Sequence, residues 1–153
     1  MGYIYKEKIR GFEAVSNYSN VRLPTRSDDR SAGYDFYTRE TVIIKPHEMV
    51  KISTGVKAYM LPDEVLMIYP RSSLGIKKNL MLANSTGVID SSYYNNPDNE
   101  GNIIIALYNY GDTKQIISAG DRIAQGVFVN YLTADEEVVV NSERTGGIGS
   151  SGN

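Results

Sequence analysis

The chain has 153 residues, which is the length of one ordinary domain and is enough to bury a core without disulfide or metal cross-links. Its 16 Lys and Arg against 18 Asp and Glu give a formal net charge of −2, so a nucleic-acid-binding surface, which needs a positive field, is not expected. With no cysteine and a single histidine, His47, the chain cannot form a disulfide scaffold, a thiolate zinc site or a cysteine-based active site.

Short β-forming runs, separated by Gly, Pro, Asn and Asp, recur along the chain and predict strands. In chain order, strands are predicted over residues 40–45, 49–53, 56–61, 65–69, 87–89, 103–109, 122–129 and 137–140. The one helix expected is short, Ser72–Lys78, with Ser72 as its N-cap. Together with 12 tyrosines, which suit half-buried sheet positions, the pattern predicts an all-β sandwich, jelly roll or barrel.

The chain divides by composition into one domain, residues 1–140, and a tail, residues 141–153. The tail is rich in Gly and Ser, and Ile148 is its only large apolar residue, so we expect it to be unable to order itself. Apolar runs such as 103–107 are far too short to cross a bilayer, and the first ten residues lack the hydrophobic stretch of a signal peptide. These features predict a soluble, cytoplasmic protein with no membrane partner.

Four internal segments have more specific compositions than ordinary turns, although each one alone is also compatible with a polar turn. Their sequences are SAGYDF at 31–36, YPRSSLG at 69–75, NSTGVIDSSY at 84–93 and GDRIAQ at 120–125. In the second, Arg71 with Ser72 and Ser73 supplies a cation, two hydroxyls and free backbone N–H groups, which suit a phosphate. The tail repeats this chemistry with Arg144, glycines, Ser150 and Ser151, so two such sites suggest a ligand with several phosphates.

Asp35 and Asp90 are the carboxylates that could complete such a site. A polyphosphate brings its own Mg²⁺, which a protein needs to hold only loosely and often through water. Asp90 follows the apolar pair Val88-Ile89 and is expected at a strand end. There it could act as a general base toward water, or it could simply begin a turn with the serines that follow; the residues leave both interpretations open.

The four internal segments and the tail together resemble the trimeric dUTPase family, because all five of that family's motifs are present in family order. The segments that carry the resemblance are 31–36, 70–73, 87–93 with Asn84 just upstream, 120–125 and 144–152. The resemblance implies a jelly-roll or distorted β-barrel subunit with one short helix, assembled as a homotrimer in which three chains build each active site. It also implies hydrolysis of dUTP to dUMP and pyrophosphate by water attack at the α-phosphorus, with Mg²⁺.

The resemblance implies a role for each matching residue. Asp90 activates water with help from Gln125, and Asp35 binds Mg²⁺ through water. The phosphates are bound by Arg71, Ser72, Ser73, Gln125, Arg144, Ser150 and Ser151. The uracil and deoxyribose are bound by Asn84, Gly87, Val88, Ile89, Asp90, Tyr93 and Ile148, with Tyr93 packed under the sugar so that a 2′-hydroxyl is excluded.

The chain departs from the family pattern at two places. Ile148 stands where the tail motif usually has a Phe that stacks on uracil, and the tail motif is one residue shorter than its commonest form. The third motif often ends Tyr-x-Gly, whereas Asn95 occupies the Gly position here. Because Asn tolerates the left-handed conformation, we expect the turn to be kept, and residues 97–101 predict a slightly longer loop after it.

Two other functions remain as alternatives. A dCTP deaminase shares the fold, but its family carries a Glu on the strand after the third motif, and residues 103–109 contain no acid. A non-catalytic jelly roll that binds a regulatory or structural partner would be expected to lose its catalytic residues. Asp90, Gln125, Arg71 and Arg144 are all present, which favours the enzyme while leaving an additional regulatory partner open.

Overall fold

The structure is a computed structural model that describes residues 7–140. These residues form eleven strands, one α-helix and one 3₁₀ turn. In chain order, the elements are β1 Gly11–Ala14, β2 Tyr34–Tyr37, β3 Val42–Ile44, β4 Met49–Ser53, β5 Val56–Tyr59, β6 Glu64–Pro70, α1 Ser72–Lys78, β7 Leu80–Leu82, β8 Gly87–Asp90, the 3₁₀ turn Ser91–Tyr93, β9 Ile104–Asn109, β10 Gln115–Ile117 and β11 Arg122–Asn130.

The strands form four antiparallel sheets within the described residues. The largest has the order β2-β11-β6-β8, and a three-stranded sheet has the order β4-β9-β7. Two smaller sheets pair β1 with β5 and β3 with β10. Non-consecutive neighbours in every sheet are typical of a jelly roll, so this part of the prediction is confirmed, whereas these sheets do not close into a barrel.

The core lies between the sheets and is filled by side chains that alternate along the strands. On β9, Ile105 and Leu107 are buried while their neighbours are only partly buried, as expected for a strand with one face on the core. β6 is buried more continuously, because β11 and β8 flank it on both sides. The central strand β6 therefore fixes where the residues on either side of it lie.

The short helix α1 has the predicted bounds, but its N-cap is different. Arg71 is the N-cap, in extended conformation, and Ser72 is already the first helical residue, so the prediction of Ser72 as N-cap is wrong. The buried side chain of Leu74 anchors the helix, and Asn79 ends it in the left-handed conformation with φ 54°. The Ser72 hydroxyl is consequently not used in capping.

Seven of the eight predicted strands are present, with shifted ends in most cases, and the eighth is wrong. Residues 137–140 form no strand, and Val138, Val139 and Val140 are between 70% and 88% exposed. Their β-branched side chains favour extended structure, but no strand of the described chain pairs with them. Four strands of three or four residues, β1, β2, β7 and β10, were not predicted from the sequence.

No helix within residues 7–140 is both long enough and apolar enough to cross a lipid bilayer.

Candidate active site

Asp35, Arg71 and Gln125 meet at one end of the four-stranded sheet. Asp35 on β2 lies opposite Gln125 on β11, which in turn lies opposite Tyr69 on β6, two residues before Arg71. The first motif contains the strand Tyr34–Tyr37 of this sheet, which was not predicted from the sequence. Three of the motifs are thus brought together by strand pairing within one chain.

Asp35 is the buried charge of this cluster, with 5% of the residue exposed. Arg71 Nη1 donates to Asp35 Oδ1 at 2.6 Å, and Arg122 Nη1 lies 3.6 Å from Asp35 Oδ2. A charge-assisted bond of this kind holds the guanidinium in a fixed direction. The pair keeps Arg71 at the start of α1, where its remaining N–H groups can bind an anion.

Ser72 and Ser73 are exposed in the first turn of α1, directly beside Arg71. The first N–H groups of a helix have no partner within the helix, so they and the two hydroxyls are available as donors. The structure therefore groups one cation and several donors at the place where a phosphate chain was predicted.

Gln125 is packed against the first motif through Gly33. Its Nε2 donates to the carbonyl of Pro70 at 3.3 Å, and a Cβ added at Gly33 would lie 2.5 Å from Gln125 Oε1. The glycine in the first motif is thus required by a close approach rather than by a special backbone angle. Replacing it would displace the Gln125 amide.

The third motif begins near this cluster and runs along β6 toward the opposite end of that strand. Gly87 pairs with Ile68 and Asp90 pairs with Val65, so the motif runs away from Arg71 and Gln125. With a rise of about 3.4 Å per residue and about 4.8 Å between strands, the Cα atoms of Asp90 and Gln125 are roughly 16 Å apart. Within one chain, Asp90 therefore lies too far from the cluster of Asp35, Arg71 and Gln125 for both to contact the same phosphate.

The strand that carries the third motif is an edge strand. Among the described residues β8 pairs only with β6, so alternate N–H and C=O groups along its other side point away from the sheet. Val88 is 57% exposed, and Asn84 is exposed in the turn before the strand. Such an edge can hydrogen-bond the polar edge of a nucleobase.

Tyr93 is held in the core, with 3% of the residue exposed. Its hydroxyl donates to the carbonyl of Asn102 at 2.7 Å and accepts from Asn99 Nδ2 at 2.8 Å. Because these bonds engage the hydroxyl, a ligand that reached Tyr93 would contact its ring and not its hydroxyl. Its predicted contact with a sugar stays a prediction.

The turn after Tyr93 has the conformation expected from the sequence. Asn95 adopts φ 57°, so an asparagine does take the left-handed conformation where the family usually has glycine. Residues 97–101 lie in the loop between the 3₁₀ turn and β9, which begins at Ile104, and the greater length of this loop relative to the family stays a prediction.

The residues present fit a Mg²⁺ ion that a ligand brings with it. No group of three or more His, Asp or Glu side chains between residues 7 and 140 could hold a metal ion. Asp35 is bonded to Arg71 and close to Arg122, so its charge is already partly neutralised. One such carboxylate suits a contact through the ion's water shell and not a protein-built metal cage.

Sequence reasoning missed several residues that support the site. The predicted tail residues lie outside the part of the chain that the structure describes. Arg122 was quoted within the fourth motif without a role, and its nearness to Asp35 depends on the register of two strands far apart in sequence. Lys57 and Glu100, 43 residues apart, form an ion pair that no local pattern indicates. The predicted residues outside the described part are Arg144, Ile148, Ser150 and Ser151.

Comparison with known proteins decides the family. The model of the dUTPase family matches residues 19–152, which is most of the chain. The chain belongs to the dUTPase family. A deoxyuridine 5′-triphosphate nucleotidohydrolase of Lactococcus lactis subsp. lactis (strain IL1403) is 51% identical over 148 residues, covering 95% of this chain and 99% of that protein.

Solved dUTPase structures share the fold of this dUTPase-family chain. The crystal structure of dUTPase from Streptococcus mutans is 45% identical, with a TM-score of 0.78, over 82% of this chain and 98% of that one. A mutant dUTPase from phage phi11 of S. aureus is 24% identical, with a TM-score of 0.71, over 90% of this chain and 100% of that one. The latter structure is described as revealing the coordination of a structural Mg(II) ion in that protein.

Proposed function

We propose that this protein is a dUTP diphosphatase that hydrolyses dUTP to dUMP and pyrophosphate by attack of water on the α-phosphorus. Membership of the dUTPase family supports the reaction. The observation that carries the proposal is the bond from Arg71 to the buried Asp35, which fixes a cation beside two exposed serines and Gln125. A nucleotide hydrolase meets its substrate in the cytoplasm, and we propose that compartment for this chain.

The phosphate chain of dUTP is bound by Arg71, Ser72 and Ser73. The guanidinium is oriented by Asp35 and therefore loses little further freedom when a phosphate binds, which is favourable for affinity. The two hydroxyls and the N–H groups of the first helical turn donate to the phosphate oxygens. Gln125, at the adjacent strand position, binds a phosphate oxygen or the attacking water.

Mg²⁺ bound to the phosphates would neutralise part of their negative charge. Among the residues that the structure describes, Asp35 is the carboxylate placed to contact the water shell of that ion. The contacts with Arg71 and Arg122 hold the Asp35 carboxylate in place beside the phosphates. The carboxylate thus serves two groups: it orients the guanidinium and it accepts hydrogen bonds from water.

Asp90 accepts a proton from the water that attacks the α-phosphorus. A carboxylate at the end of an exposed edge strand can face the ligand while the strand backbone binds the base. In this arrangement Asn84 and the β8 backbone hydrogen-bond the uracil edge, and the ring edge of Tyr93 lies under the deoxyribose. One short strand therefore determines both base selection and the position of the water.

The separation of Asp90 from Arg71 within one chain supports an active site shared between subunits of a homotrimer. Asp90 pairs with the opposite end of β6 from the end that carries Arg71, so these residues must come from different chains to reach one nucleotide. The exposed Val138–Val140 run also needs a cover that a neighbouring subunit would supply. The third chain contributes the tail, with Arg144, Ile148, Ser150 and Ser151.

The test of this function is pyrophosphate release from dUTP, dCTP, dTTP and UTP, each with and without Mg²⁺. We expect rapid release from dUTP alone and a large loss when Mg²⁺ is removed. Asp90→Asn should retain nucleotide binding but lower kcat by several orders of magnitude, because an amide cannot accept the proton. Equal turnover of dCTP and dUTP, or normal turnover by Asp90→Asn, would overturn the proposal.

A further inference from the structure

The loop between the 3₁₀ turn and β9 is attached to the small β1–β5 sheet by a partly buried ion pair. Lys57 on β5, with 9% of the residue exposed, donates from Nζ to Glu100 Oε2 at 2.8 Å and to Asn95 Oδ1 at 2.6 Å. The backbone N–H of Ser16, just after β1, donates to Glu100 at 3.0 Å, and the Ser16 hydroxyl donates to the same carboxylate. One lysine and one carboxylate thus connect the loop to two strands of a different sheet.

The loop conformation depends on these external bonds. Asn95 and Glu100 adopt φ values of 57° and 65°, and the N–H of Asn95 donates to the carbonyl of Glu100 at 2.9 Å. The left-handed conformation is unfavourable for a glutamate, so something outside the backbone must hold it there. The hydrogen bonds from Lys57 and then Ser16 lower the pKa of Glu100 to about 2, consistent with a tightly held carboxylate.

The same loop binds the Tyr93 hydroxyl from two sides. Asn99, the residue before Glu100, donates from Nδ2 to the hydroxyl, and the hydroxyl donates to the carbonyl of Asn102. Asn102 is itself bonded to the end of β4, because its Nδ2 donates to Ser53 Oγ at 2.6 Å. The loop and, through Glu100, Lys57 therefore help to fix the position of the aromatic ring, which also packs in the hydrophobic core.

We propose that Lys57, Glu100 and Asn99 are positioning residues that set the discrimination of this enzyme between deoxyribose and ribose. The inference rests on the proposed function, which packs Tyr93 under the sugar. Exclusion of one hydroxyl requires the ring to be fixed within a fraction of an ångström, because a ring that can retreat makes room for the extra atom. Lys57 acts only through the loop, since Asn95 and Glu100 take its hydrogen bonds.

The experiment measures kcat/KM for dUTP and for UTP in the full-length protein and in three variants. Lys57→Met removes the donor to the loop but keeps the length of the side chain. Glu100→Gln removes the charge. Asn99→Asp keeps the oxygen that accepts from the Gly101 N–H, and it replaces the donor to Tyr93 with a charged acceptor. We expect the dUTP-to-UTP ratio of kcat/KM to fall by about tenfold in each variant, mainly through improved use of UTP.

The matched control is Ile117→Val, a fully buried core residue on β10. This variant is expected to lower Tm and to keep the ratio, because it removes none of the hydrogen bonds that hold the loop. A ratio that is unchanged in Asn99→Asp, where the Lys57–Glu100 pair is intact, overturns the inference. So does a ratio that falls equally in Ile117→Val, because stability alone would then explain the effect.

The outcomes also separate this inference from the proposed function. A wild-type protein that releases no pyrophosphate from dUTP overturns the proposed function and the inference with it. An active wild type that rejects UTP, together with three variants that reject UTP equally well, overturns the inference alone.

Discussion

At the scale of single residues, the main charge of the site is a buried aspartate that depends on one guanidinium. Asp35 has Arg71 at 2.6 Å and Arg122 at 3.6 Å, and the Asp35 side chain is 8% exposed. Removing Arg71 would leave the Asp35 carboxylate with the longer of these two contacts, to Arg122. Leaving a buried acceptor without its charged donor costs more free energy than the pair contributed to stability, because the desolvation of the acceptor is no longer offset.

Arg71→Met should therefore lower stability as well as abolish activity. We expect a loss of about 2 kcal/mol in urea unfolding at a fixed protomer concentration, and a smaller loss in Asp35→Asn. The double variant should be less destabilised than the sum of the two single variants. Strict additivity in this double-mutant cycle would mean that the two side chains do not interact in solution.

The pair Glu100–Lys57 should make stability depend on acid pH. The pKa of Glu100 is lowered to about 2 from its ordinary value of 4.5, so the stabilisation is complete above pH 4.5 and is lost as pH falls through about 2. The Tm gap between wild type and Glu100→Gln should be constant above pH 4.5 and should narrow as the pH falls from 4.5 to about 2. A gap of the same size at pH 3 and at pH 7 would contradict the assignment.

These residue contacts also show where sequence reasoning stops. Asp35, Arg71 and Gln125 were predictable as a group because each lies in a recognisable motif. Lys57 and Glu100 were not, because an ion pair across 43 residues leaves no local pattern. The left-handed Asn95 was predictable, since its steric tolerance is a property of the residue itself.

At the scale of elements, the close approach of Gly33 to Gln125 joins the first motif on β2 to the fourth on β11. Gly33→Ala should move the Gln125 amide and lower kcat/KM for dUTP by about tenfold, with little change in Tm. The clash is with the far end of a flexible side chain, at 2.5 Å from Oε1, so the strands need not move.

Gly120→Ala is the matched control for that change. Gly120 has φ +88°, and nothing would lie within 4 Å of an added Cβ. Alanine there should lower Tm through backbone strain and leave kcat/KM unchanged. The reverse pattern, with activity lost in Gly120→Ala and kept in Gly33→Ala, would separate Gln125 from the reaction.

The elements were predicted with different success for physical reasons. The long strands β9 and β11 were found because each is a run rich in β-branched and other apolar residues that is bounded by turn residues. Tyr34–Tyr37 was missed because three successive residues are buried, so alternation is absent. The 137–140 prediction reflected β-propensity alone, and propensity cannot supply the neighbouring strand that a sheet needs.

At the scale of the whole molecule, the shared site predicts subunit complementation. Arg71→Met and Asp90→Asn are each expected to be inactive. When equal amounts are unfolded together and refolded, about a quarter of the sites should combine an intact Arg71 with an intact Asp90 from different chains. Recovery of that fraction of wild-type turnover would confirm sharing, and light scattering should give three times 17.0 kDa. No recovery from well-formed trimers would show that each chain uses its own Asp90.

Deletion of residues 141–153 tests the tail. The deletion removes no residue of the described core, so Tm and trimer mass should be nearly unchanged. Turnover of dUTP should collapse, because Arg144, Ser150 and Ser151 are proposed to bind the terminal phosphates. Full kcat/KM in the truncated protein would remove the tail from the mechanism.

Ile148→Phe should tighten dUTP binding by a modest factor, consistent with about 1 kcal/mol of stacking.

The placement of Asp90 and Arg71 at opposite ends of β6 has a consequence for inheritance. Consider a cell that expresses equal amounts of a normal allele and an allele carrying both Arg71→Met and Asp90→Asn. Under the proposed sharing, every site draws Arg71 and Asp90 from separate polypeptides. Only about a quarter of the sites would then work, where an enzyme with self-contained sites would keep half. The doubly altered allele would behave as partially dominant, and dominance of this kind can be scored from growth without purifying the protein.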